Sequence, residues 1–157
     1  MSFFKFQGHR IINAFFKSAF WKEIIILIPF SMVGIWWPVW FDWPGYSSYL
    51  LPAAWFTFGI GSLVSIMLHR SFMTEDTDRF KYANTIVVIL LSIIGGLFYG
   101  KALSMNLQNK ELDCLFLNLN FLEWAIVLNV FVWIWNLIST SDFDSKDSGS
   151  PLGENHD

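Results

Sequence analysis

Three stretches of this chain carry almost no charge, and that absence limits its fold more than any motif does. Between residues 24 and 68 the one charged side chain is Asp42, and residues 83–100 and 124–141 have none. A helix rises about 1.5 Å per residue, so about 20 apolar residues cover the roughly 30 Å hydrocarbon core of a bilayer. Composition points the same way. The 157 residues are 54% hydrophobic and 15% charged, where soluble domains run near a quarter charged.

The pattern predicts an all-α membrane protein with four transmembrane helices, at about residues 24–41, 49–68, 83–100 and 119–138. The start of the fourth is open, because CLFLNLNFLEW reads either as its first turns or as a short interfacial segment leading into it. The membrane domain, 24–138, lies between a basic arm (1–23) and an acidic tail (139–157). The first apolar run is too long, and too far from the N-terminus, for a cleavable signal, and no small-x-small site follows it.

Four spans put both termini on one side. Lys5, Arg10, Lys17, Lys22, Arg70, Arg79, Lys81 and Lys146 fall on that side, against Lys101 and Lys110 on the other. The positive-inside rule makes the richer side cytoplasmic. A bacterial inner membrane is the expected location.

Ile11/Ile12, Phe15/Phe16 and Ala19/Phe20 recur at helical spacing in the arm, while Arg10, Asn13 and Lys17 fall on the opposite face. This predicts an N-terminal amphipathic interfacial helix, with Lys5, Arg10, Lys17 and Lys22 meeting the anionic inner leaflet of the lipid bilayer. The tail has five acids and one lysine among Gly, Ser and Pro, and cannot bury enough apolar surface to fold alone. It reads as a disordered tether or a docking strip for a cytoplasmic protein partner, together with the second loop.

GIWWPVWFDWPG, residues 34–45, ends the first span. Trp36, Trp37, Trp40 and Trp43 form an outer aromatic belt, since indole prefers the headgroup level, or a stripe for a membrane-embedded partner. Pro38 and Pro29 each remove a helix donor and are expected to bend this span.

Small residues recur every fourth position in the next two spans: Thr57, Gly61 and Ser65, then Ser92, Gly96 and Gly100. Such stripes let helix backbones approach in lipid, within one chain or between copies of a homo-oligomer. Asn129 and Asn136 lie seven apart in the fourth span with Trp133 between them. An amide in hydrocarbon needs a partner, so this face points at protein or water. It serves as polar glue, a self-association seam or a pore lining.

Catalytic patterns are missing. The histidines are far apart, and neither HExxH nor GxSxG occurs. Ser65 and His69 have the spacing of a nucleophile and base but no acidic orienter. TEDTD, with Glu75, Asp76 and Asp78, reads as a solvated loop in which Thr77 caps the following helix, the alternative being a divalent-cation site. One cysteine, Cys114, excludes an internal disulfide and cysteine-based metal sites. The expectation is a non-enzymatic protein with no cofactor, no metal and no nucleic-acid partner.

Span number, topology and length make the layout similar in outline to small four-span bacterial inner-membrane proteins. These are the immunity proteins against pore-forming colicins and the membrane component of the Kiwa anti-phage system. The similarity implies defence or immunity through contacts inside the bilayer; it rests on no shared motif and transfers no residue role. The alternative expectation is a pore-forming or holin-like effector that depolarises the membrane.

Overall fold

A computed structural model describes residues 3–72, 80–112, 114–139 and 143. The chain is mostly helical. Three helices are long and apolar enough to cross a membrane: α5 (Pro52–Phe72), α6 (Lys81–Leu107) and α7 (Phe121–Ile138). The protein is therefore membrane-integral.

All three pack through seams whose steps alternate between three and four residues. The buried positions run 52, 55, 59, 63, 66 and 70 in α5, 88, 92, 95, 99 and 102 in α6, and 122, 125, 129 and 132 in α7, with Asn84, Met105 and Ile138 also buried towards the helix ends. That step is the one left-handed crossings of packed helices use. Trp55, Leu63, Val88, Tyr99, Leu122 and Val132 form the centre of the core. Large side chains off the seams, such as Leu90, Leu97 and Phe131, face outward and are exposed. This is the arrangement expected where the solvent is lipid.

The first apolar segment is broken. It comprises α2 (Ser18–Lys22), a π-helical stretch (Glu23–Leu27), α3 (Ile28–Ser31) and α4 (Val33–Trp40). The two arms Ser18–Ser31 and Val33–Trp40 meet at 56°, and together they pass the same length and apolarity test as the three long helices. Pro38, expected to bend the helix, lies inside α4, and the break falls at Met32. Pro29 accounts for the irregularity before it: it has no N–H to donate to the carbonyl four residues back and its ring crowds that carbonyl, and the π-helical stretch sits over those residues.

α1 (Phe3–Phe15) packs its polar face on the bundle. Gln7, Arg10, Asn13 and Ala14 are buried, while Phe4, Ile12, Phe15 and Phe16 are exposed. The helix is amphipathic as its pattern predicts, yet the polar side meets protein. The reason is that the ends of α6 and α7 present unpaired amide and carbonyl groups that only polar side chains satisfy.

The segment left open before the last span is a β-hairpin. β1 (Cys114–Phe116) pairs antiparallel with β2 (Leu119–Asn120), and α7 begins at the next residue. Asn120 caps α7 through a capping box. Its side chain accepts from Glu123 N at 3.0 Å, and Glu123 Oε2 accepts from Asn120 N at 2.8 Å. Glu123 is thereby engaged within the first turn of its own helix.

Candidate functional site

The two small-residue stripes meet different fates. Thr57, Gly61 and Ser65 lie two residues off the α5 seam, about 200° round the helix, and all three are exposed. A Cβ built on Gly61 would meet nothing within 4 Å. In α6 Ser92 is buried in the seam, Gly96 is half-buried with Ile60 Cδ1 3.5 Å from a Cβ built on it, and Gly100 is half-buried with open space. The α5 stripe runs alongside its seam and stays off it throughout, whereas the α6 stripe passes from buried Ser92 through Gly96, beside Ile60, to open space at Gly100.

The residues that bring α5 and α6 close are others. A Cβ on Gly59 would collide with the Tyr99 ring, and one on Gly95 would stand 3.2 Å from Leu63 Cδ1. Hydropathy gives no sign of these positions. The available signal was a glycine in each helix at the three-and-four step.

The exposed α5 stripe forms one wall of a groove of about 560 Å³, open to the outside between α3, α5 and α7. Thr57, Gly61, Ser65, His69, Trp133 and Asn136 are among its lining residues. Its polar groups are unevenly engaged. Thr57 Oγ1 donates to Ala53 O within its own helix at 3.1 Å, and Trp133 Nε1 donates to Glu23 Oε1 at 3.4 Å. Ser65 and His69 both line the groove with no hydrogen bond between them. A groove of this polarity beside hydrocarbon is a surface for another polar or small-residue face.

Behind the groove lies a polar seam. Asn129 is buried; its Nδ2 donates to Tyr99 Oη at 3.3 Å, and its Oδ1 accepts from Ser62 Oγ at 3.1 Å. This one amide ties α5, α6 and α7 together. Asn136 is engaged differently. Arg70 Nε donates to its Oδ1 at 2.6 Å and Arg70 Nη2 to its carbonyl at 2.7 Å, and Nη2 also donates to Ser139 Oγ.

Among the described residues, Arg70 is thus one of two arginines that donate to the C-terminal end of α7. The other is Arg10, 1% exposed, whose Nη1 donates to Ser139 O at 2.9 Å. The last carbonyls of a helix lack intrahelical partners and carry negative partial charge, so arginine is suited to both needs. Gln7 Nε2 donates to Asn84 Oδ1 at 2.9 Å, and Asn13 Nδ2 donates to Phe143 O at 3.0 Å. Lys17 Nζ lies 5.8 Å from the centre of the Phe143 ring. The arm and the root of the tail are one clamped unit.

Arg10 therefore differs from the expected headgroup-facing cation. Its guanidinium is buried and pairs with a helix end whose last carbonyls lack intrahelical donors. Lys5 and Lys22 are exposed and Lys17 is half-buried.

Trp36 and Trp40 stack edge to face at 5.4 Å, and Trp37 packs on Phe41 at 4.8 Å. Trp36 Nε1 donates to Pro29 O at 3.1 Å, which ties α4 back across the 56° break. Trp37, Trp40 and Trp43 remain exposed. Because α4 ends at Trp40 and Phe41 leaves the helix, Trp43 does not extend the stripe.

The acidic run Glu75, Asp76 and Asp78, Thr77 and the tail beyond Phe143 lie outside the described residues. Among the described residues no group of three or more His, Cys, Asp or Glu side chains could hold a metal. No protein family, curated protein or solved structure matches this chain.

Proposed function

We propose that the chain is a non-enzymatic, four-span protein of a bacterial inner membrane, with both termini cytoplasmic, that acts by helix contacts within the bilayer. The bent pair α2–α3 and α4 supplies the fourth span, and the Lys/Arg asymmetry supplies the orientation. Copies of the chain associate through the groove face of α5, and the clamped arm and tail couple that state to a cytoplasmic partner. A defence or immunity component, triggered by an event in the membrane, fits this design.

The observation that carries the reading is the exposed stripe Thr57–Gly61–Ser65 with an unfilled groove in front of it. A monomer surrounded by lipid leaves those small and polar groups against hydrocarbon. A second helix satisfies them. The pore alternative gains less support, since Asn129 is spent on Tyr99 and Ser62 inside the bundle.

Single-molecule photobleaching of a fluorescent fusion in native membranes tests the proposal. The expected result is more than one step per spot, falling to one step in Gly61→Leu at equal membrane levels. Single steps throughout would overturn it.

A further inference from the structure

The hairpin ahead of α7 exposes the apolar side chains Leu115, Phe116 and Leu117, the last two at 67% and 69%. Both residues of its two-residue turn have positive φ, +53° at Leu117 and +59° at Asn118. This is the φ pattern of a type I′ turn, a place normally given to Asn and Gly. Leucine carries a Cβ penalty in that region. The turn therefore holds a large apolar side chain at its tip against the backbone's preference.

The hairpin is rigidly mounted. Trp124, in the first turn of α7, stacks on the Phe116 ring at 6.3 Å and donates from Nε1 to Phe116 O at 3.0 Å. The capping box at Asn120 and Glu123 sets the angle between strand and helix. The tip is thus aimed, and its direction is fixed relative to the axis of α7.

Helix length then places it in depth. α7 has 18 residues, about 27 Å at 1.5 Å per residue, which is roughly 3 Å short of a typical hydrocarbon core. α6 beside it has 27 residues, about 40 Å, and crosses with length to spare. A short α7 leaves its N-terminal end no deeper in water than the headgroups, and the hairpin sits at that end. Strand pairing and the Trp124 bond satisfy part of its backbone, as a segment at that depth requires.

We propose that Leu115–Phe116–Leu117 is a membrane-dipping anchor: the hairpin tip inserts into the headgroup–acyl boundary of the leaflet at the N-terminal end of α7, and its occupant is lipid. The inference requires only that α7 cross the bilayer and is independent of self-association.

The single native cysteine makes the test direct. The full-length protein carrying Cys114→Ser and Leu117→Cys is nitroxide-labelled and reconstituted in vesicles of phosphatidylcholine and phosphatidylglycerol. Power saturation then compares collisions with dissolved oxygen and with a water-soluble nickel chelate. A label at Lys110→Cys in the loop before the hairpin is the aqueous reference. The expected result is an oxygen preference at position 117 and a nickel preference at 110, with at least a threefold lower nickel accessibility at 117. If the Leu117→Cys protein fails to fold or reconstitute, Leu115→Cys carries the same expectation. Nickel accessibility at the tip equal to that of Lys110→Cys would overturn the proposal and leave the tip free for a soluble partner.

Discussion

Gly59 and Tyr99 meet with no room for a methyl group between them, so the contact of α5 with α6 requires a glycine facing an aromatic ring. Gly61, two residues on, faces open space. Two glycines on one helix therefore have opposite duties. Gly59→Ala is expected to lose about 1–3 kcal/mol, the usual cost of overpacking. Gly61→Ala is expected to stay within about 0.5 kcal/mol, as surface changes do. Detergent-titrated unfolding measures both, and equal losses would contradict the packing described.

Asn129 is the joint of the three long helices. Interhelical side-chain hydrogen bonds in membranes contribute about 0.6–2 kcal/mol. A double-mutant cycle of Asn129→Leu and Tyr99→Phe should give a coupling in that range. The same chain expressed at high level should leave the membrane potential intact, read with a potential-sensitive dye. Depolarisation that Asn129→Leu abolishes would favour a pore.

The contrast between the two glycines marks what a sequence can and cannot disclose. Hydropathy located the long helices, because a charge-free run in lipid has few alternatives. It ended the third span at residue 100, while α6 runs to Leu107 with Lys101 at an exposed position. The hairpin was open in advance because LFLNLN lacks the Asn-Gly signal of a tight turn. The small-residue stripes and the asparagines were legible as polar or small faces. Which stripe packs inside and which stays bare depends on the seam, and the seam depends on all three helices together. The α1 pattern was legible too, but not which face would meet protein, because that follows from unpaired carbonyls at the far end of the chain.

Arg10 holds α1 to the end of α7. A hydrogen bond from a charged donor contributes about 1.5–3 kcal/mol, so Arg10→Ala is expected to speed amide exchange across residues 3–15 by roughly ten- to hundredfold. Lys5→Ala, at an exposed position of the same helix, should leave that exchange unchanged. Hydrogen-exchange mass spectrometry of the reconstituted protein reads both, and equal effects would argue against the clamp.

Asn120 begins α7 with a reciprocal cap. Asn120→Ala should cost about 1 kcal/mol, seen as a lower unfolding midpoint in detergent, and Asn120→Ser should recover most of it. No loss on Asn120→Ala would contradict the capping geometry.

The central claim is that the bare face of α5 is where copies of this chain meet. Cysteine crosslinking in native membranes tests it most directly, in a Cys114→Ser background with Gly61→Cys, Ser65→Cys and the lipid-facing control Leu97→Cys. The account predicts covalent dimers at positions 61 and 65 and little or none at 97. Monomers at 61 and 65, or equal capture at 97, would contradict it.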